Sequence, residues 1–310
     1  MKKAKGFTIL FISILVVLVL ICNSFLIING SFIYRGTSCF DSYRCQEKYS
    51  VAKDLEKIGR LKNLKNLSLL APHVRDMSEI SKLNHLEQLN LDFCMELYDW
   101  SFLSDLHSLQ YLSVNRSTFH DSDLANLKEL KNLKKLNING CCFQTLDNIS
   151  CCSHLEDLAL MCPYVSDLSE LKNMKNLHYL QISYMNIENF DFLNDLDSLE
   201  SLYMSDVQIP DNEIFLMENV KELYLEDIDE PSAAFISSFP NAEIISLYNT
   251  YIDTDIITEL EKLTHLKKIY VSKTALTKNK SNELADKGIE VLVCDSINNK
   301  YEISNSYFLD

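Results

Sequence analysis

Cysteine is the residue type in this chain best placed to do chemistry. Five of the ten cysteines, Cys141, Cys142, Cys151, Cys152 and Cys162, fall within 22 residues, as two adjacent pairs and a single. Thiolates are soft anionic ligands, so such a cluster would suit a thiophilic metal. In an oxidising compartment Cys142, Cys151 and Cys162 would instead pair as disulfides. The third use of a cysteine is as a small buried hydrophobe. Which use applies depends on where the fold puts each sulfur. The other reactive types form no constellation. Seven histidines are scattered, and none pairs at the spacing of a zinc-binding helix such as HExxH. There is no nucleophile elbow, and six glycines leave little from which to build a phosphate-binding loop. Catalysis is not expected, and neither is a cofactor or a metal.

The elements that position these residues come from one phrase written ten times: an apolar residue, a second three later, a third two after that. The first anchors are Leu64, Leu86, Leu109, Leu133, Leu155, Leu177, Leu199, Val220, Ala242 and Leu266, spaced 21 to 24 residues apart. The anchors lie mostly two apart, as a strand with one buried face requires. Two further apolar positions recur in the return path. One lies ten residues after the first anchor (Val74, Phe119, Phe143, Val165) and the other three before it (Leu61, Leu83, Leu106, Leu130, Cys152). Short returns such as Asp76–Ile80 and Asp167–Leu171 leave room for a 3₁₀ turn. Residues 121–130 and 254–263 have the spacing of longer helical turns after an Asp or Thr cap, and 281–287 has room for a third. Residues 289–294 read as an eleventh, degenerate strand whose inward pair is Val291/Val293 or Leu292/Cys294.

A period this regular identifies the middle of the chain as a leucine-rich-repeat solenoid, an α/β fold with stacked parallel strands on a concave face and short 3₁₀ or α turns on the convex one. In that register Cys94 and Cys141 stand eight residues after a first anchor, at a small buried position. Cys152 replaces a core leucine. The register therefore favours structural thiols over a metal site. The 22-residue spacing and the Asp-apolar-Ser-x-apolar returns resemble bacterial internalin repeats over about residues 58–295. The resemblance implies an arc whose inner strand face binds a protein. Many such repeats keep Asn eight residues after the first anchor; here that position holds Pro72, Cys94, Ser117, Cys141, Pro163, Met185, Val207, Ile228, Thr250 and Thr274.

Residues 1–5 form a basic tip. Residues 6–28 are 23 uncharged residues, mostly Ile, Leu, Val and Phe. At about 1.5 Å per residue they would span a hydrocarbon layer of roughly 30 Å as a helix. Lys2, Lys3 and Lys5 before it would stay cytoplasmic, placing the repeats outside. The expectation is a single-pass transmembrane signal anchor, with a cleaved signal peptide or lipidation at Cys22 as alternatives. Residues 29–60 would be a linker and N-terminal cap, with Cys39 and Cys45 able to close a small disulfide loop and an amphipathic helix over 49–61. The repeats occupy 61–295, and 296–310 is a C-terminal cap or tail.

The chain carries 29 Lys and Arg against 44 Asp and Glu, a formal charge of −15. An acidic body repels phosphate backbones, so nucleic acid is not an expected partner, while a basic protein is. Positions two, four and six past each first anchor face away from the core. They hold Tyr111, Tyr179, Tyr203, Tyr224, Tyr248 and Tyr270, with Asp92, Asp157, Glu222 and Glu226 beside them and Asp206 and Asp227 at the edge. Tyrosine offers large contact area at low entropic cost and is enriched in interfaces. The expected site is the C-terminal half of this face: Tyr179, Tyr203, Tyr224, Tyr248 and Tyr270 with Glu222 and Glu226. The expected function is a membrane-anchored, surface-exposed module that binds a protein ligand. An intracellular repeat scaffold regulating a cytosolic enzyme and a secreted binding protein are the alternatives.

Overall fold

The computed structural model of the chain describes residues 55–294 except 71–72, 210–214, 230 and 274, together with the backbone of two earlier strands. It divides into two compact units. One comprises residues up to 119 with 125–133, the other 120–124 with residues from 134 onward.

In the first unit, β1 (Phe25–Ile28) and β2 (Ser31–Arg35) form an antiparallel pair. β2 runs parallel to β3 (Asn66–Leu70), which is followed by β4 (Gln88–Asn90) and β5 (Tyr111–Ser113), all parallel. The second unit stacks eight parallel strands in chain order. They are β6 (Lys135–Asn139), β7 (Asp157–Met161), β8 (Tyr179–Met185), β9 (Ser201–Val207), β10 (Glu222–Glu226), β11 (Ile244–Leu247), β12 (Lys268–Ser272) and β13 (Glu290–Cys294). Register follows the anchors: Leu136, Leu158, Leu180, Leu202, Leu223, Ile245, Ile269 and Val291 stand side by side. The eleventh strand therefore takes the Val291/Val293 register. It is a weak end strand, because Val293 remains 56% exposed while Ile289 is buried.

All thirty anchor residues are buried, none more than 6% exposed. Within each unit those rows are the core, since a single repeat of some 22 residues buries too few side chains to offset its own ordering. The three-before position is buried from Leu83 to Leu263, Cys152 included; Leu61 departs from the expectation and is exposed. The short returns form 3₁₀ turns at Ser78–Lys82 and Ser169–Asn173. Residues 121–130 hold a 3₁₀ helix, Asp121–Leu127, rather than an α-helix. Three returns are α-helical: α1 (Ala233–Ser237), α2 (Thr254–Lys262) and α3 (Lys278–Asp286). Ser232, Asp253 and Thr277 cap them, each accepting a backbone N–H three residues on.

The expected cap helix is seen over residues 55–59, where Leu55 and Ile58 are buried; residues 51–54 lie outside the described set. Gly59 packs so close to the first return that a Cβ there would sit 2.6 Å from the Glu79 carbonyl oxygen. The membrane-spanning expectation for 6–28 falls mostly outside the described residues. Its last four residues form β1 instead of helix, so the span as drawn is too long at that end. Among the described residues no helix is long and apolar enough to cross a membrane. Residues 1–5, Cys39, Cys45 and 296–310 also lie outside.

Candidate ligand-binding face

Each strand turns one row of side chains into the core and the alternate row onto the open sheet face. In the first unit that outer row is hydroxyl- or amide-rich around one acid, Asp92. Asp92 organises it: its carboxylate accepts from Ser113 Oγ (2.6 Å), the Asn115 backbone N–H (2.8 Å) and Asn90 Nδ2 (3.1 Å). Beside it, burial and then the Asp92 charge push the Tyr111 hydroxyl up to about 12, against a lowering hydrogen bond from Ser113.

The second unit carries the expected tyrosines. Across β8 to β12 the central outward row reads Gln181, Tyr203, Tyr224, Ser246, Tyr270. Tyr203 and Tyr224 are neighbours, with ring centroids 6.2 Å apart and planes tilted by 40°. Tyr270 is separated from them by Ser246. Tyr203 Oη donates to Glu226 Oε2 (3.2 Å), and Ser246 Oγ donates to Glu226 Oε1 (3.0 Å). Tyr224 Oη donates to Glu222 Oε2 (3.0 Å), and Tyr179 Oη donates to Gln181 Oε1 (3.3 Å). Burial, followed by the Glu222 charge and its hydrogen bond, raises the Tyr224 pKa; burial, then the neighbouring Tyr203 and Asp157, raises that of Tyr179.

These contacts correct the simple alternation. Tyr203 is 8% exposed and Glu226 only 1%. Strands about 4.8 Å apart are closer than the length of a tyrosine side chain, so the rings lean over adjacent rows and seal what lies beneath. Glu226 is thus a buried positioning group for Tyr203. Tyr179, Tyr224, Tyr248, Tyr270 and Glu222 are half-buried and present ring or carboxylate edge to solvent.

One feature of the face escaped the pattern of anchors. The residue seven after the first anchor takes a left-handed backbone at Phe93 and Arg116 in the first unit, and at Gly140, Tyr184, Asp206, Asp227 and Asn249 in the second. Gly, Asn and Asp adopt this conformation readily; Phe, Arg and Tyr adopt it at a cost. The recurrence of Gly, Asp and Asn at that position was the available signal. In the first unit the Arg116 guanidinium lies 5.6 Å from the Phe93 ring centroid. A second missed signal is charge placement. Between Asn176 and Glu261 the sequence has nineteen acids and one cation, Lys221, a net −18, so the rest of the chain is +3.

The cysteines divide as the repeat register implies. Cys94, Cys141, Cys152 and Cys162 are buried, Cys151 is half-buried and Cys142 exposed. Cys142, Cys162 and Cys294 are free thiols. Cys162 Sγ donates to the Ile138 carbonyl (3.8 Å), and burial pushes its thiol up to about 12. Among the described residues no three His, Cys, Asp or Glu side chains converge on a metal-sized site. His85, His154 and His265 are exposed just before their strands.

No protein-family model matches the sequence. No curated protein matches it at a significant level. Solved structures do. An internalin of Listeria monocytogenes, InlF, superposes with a TM-score of 0.61 at 20% identity, over 78% of this chain and 70% of its own. The internalin InlC2 of the same organism gives 0.50 at 19% identity, over 69% of this chain and 83% of its own. The LRIM1/APL1C complex gives 0.50 at 15% identity, over 69% of this chain and 45% of the matched one. At these identities the likeness is one of fold. The chain is a parallel-sheet leucine-rich-repeat solenoid whose short repeats resemble those of internalins.

Proposed function

We propose that this chain is a recognition module, anchored in a membrane through residues before β1 and displayed at the cell surface, that binds a basic protein ligand on the open face of β8–β12. The observation that carries the proposal is the tyrosine–carboxylate array of Tyr179, Tyr203, Tyr224 and Tyr270 with Glu222. The Tyr203 and Tyr224 rings are neighbours, and the hydroxyls of Tyr179, Tyr203 and Tyr224 are engaged by neighbouring side chains. Preorganised aromatic surface binds without first being ordered, which is the main saving a rigid scaffold offers. The acids favour a ligand bearing lysine or arginine and disfavour nucleic acid. Tyr248 and the buried Glu226 support the array.

The test is replacement of Tyr203, Tyr224 and Tyr270 together by Ala, with partner affinity read by titration and folding by circular dichroism. Loss of well over tenfold in affinity with an unchanged fold is expected, as for interface hot spots worth about 2 kcal/mol or more each. Unchanged affinity would end the proposal. Protease accessibility of the repeats on intact cells checks the topology: cleavage from outside is expected, and protection would put the module on the other side.

A further inference from the structure

We infer, building on the recognition reading above, that the ligand surface turns over the edge formed by the C-terminal ends of β7–β11, and that this edge holds an extended lysine- or arginine-rich segment of the partner protein. Three tyrosines project there. Tyr164 and Tyr251 stand nine residues after their first anchors and are each 64% exposed, and Tyr184 stands seven after and is 50% exposed. Tyr184, like Phe93 and Arg116 in the first unit, is a residue type that its backbone position does not favour. Its φ is 54°, the left-handed region, whereas the same position in the next three repeats is Asp206, Asp227 and Asn249, types that adopt it readily. An exposed ring gains little from the core, so packing does not account for a tyrosine where an asparagine would be easier. Backbone strain at an exposed aromatic points to a role in contact.

The charge of the edge selects the occupant. Between Tyr184 and Tyr251 lie Glu188, Asp206, Asp227 and Asp229, and the only cation in that interval, Lys221, is at the opposite end of its strand. Asn249 Nδ2 donates to Asp227 Oδ1 (2.6 Å) and Ser205 Oγ to Oδ2 (3.5 Å), holding that carboxylate in place. Aromatic rings at both ends with carboxylates between them suit guanidinium or ammonium groups, which stack on the one and pair with the other. Tyr164 to Tyr251 spans four strand spacings, roughly 19 Å, the reach of about six extended residues.

The experiment titrates the full-length chain with a fluorescein-labelled hexa-arginine peptide, using hexaserine as the control, and follows thermal melting in parallel. Asp206→Asn/Asp227→Asn/Asp229→Asn is compared with Asp191→Asn/Asp195→Asn/Asp197→Asn, which removes equal charge from a return path. The edge triple is expected to weaken binding at least tenfold and the return triple less than twofold. Tyr184→Asn is expected to weaken binding at least threefold while raising Tm, a combination that a purely structural tyrosine would not give. Equal losses from both triples would mean unspecific charge attraction and overturn the inference, as would Tyr184→Asn leaving the affinity unchanged or wild type failing to bind. Tyr203→Ala/Tyr224→Ala/Tyr270→Ala in the same titration separates the two surfaces. If it alone abolishes binding, the sheet-face reading stands and the edge inference falls. If the edge triple alone does, the edge stands without the sheet face.

Discussion

Thr250 occupies a position where internalin-like repeats keep asparagine, and it does the work of one. Its hydroxyl donates to the Leu225 carbonyl (2.9 Å) and accepts the Ile228 backbone N–H (3.2 Å), linking two repeats inside the core. Cys162 reaches the equivalent Ile138 carbonyl with a thiol. A second set of amides compensates on the surface. Asn132, Asn176, Asn219 and Asn241, each one residue before a first anchor, donate Nδ2 to a carbonyl of the preceding repeat at 2.6 to 2.9 Å. Thr250→Val should cost about 1–3 kcal/mol by leaving two buried backbone groups without their partner, read as a lower urea midpoint. The tyrosines give a pH signature. Tyr111 has a folded pKa of about 12, above the usual 10, and Tyr179 and Tyr224 shift the same way. Below pH of about 10 these phenols are neutral in both folded and unfolded chains. Above it the unfolded chain loses its protons first, so stability should fall progressively as pH rises towards 12. Urea melts through that range check the sign, and Tyr111→Phe should flatten part of the slope.

At the scale of the element, close packing is most exposed to test at the N-terminal end. Gly59→Ala would drive a Cβ against the Glu79 backbone oxygen, which has no flexible end to yield. A destabilisation of about 1–3 kcal/mol is expected, measured by denaturant melts. The ten strands β3–β12 were legible in the sequence because each is written by three anchors that all bury, whereas β1 and β2 carry no such phrase. The returns were legible only in part. Asp253 and Ile256, Ile257 and Leu260 announced α2, but α1 breaks the repeat pattern: position ten after Val220 is Glu230, and the apolar signal moves to Phe235 and Ile236. Residues 121–127 have a helical spacing yet close as 3₁₀, because a return of fixed length must rejoin the next strand. The candidate face was legible by position and not by depth. Alternation gives the row of Tyr203 and Glu226 but cannot tell that one ring would cover the other's carboxylate. The left-handed edge position was readable in Gly140, Asp206, Asp227 and Asn249 and was obscured by Tyr184 and Phe93.

At the scale of the molecule, the sequence sets a strongly acidic segment within the second unit. On the proposed reading, nineteen acids and one lysine between Asn176 and Glu261 should make association with a basic partner fast at low salt and slow at high salt, where screening shortens the reach of charge. The most direct measurement is photo-crosslinking on intact cells, with a benzophenone amino acid placed at Tyr224 on the sheet face or at the exposed Thr258 on α2. A basic protein captured from Tyr224 and not from Thr258 is the expected result. Capture from Thr258 alone, or of the same protein equally from both, would contradict recognition through the tyrosine face.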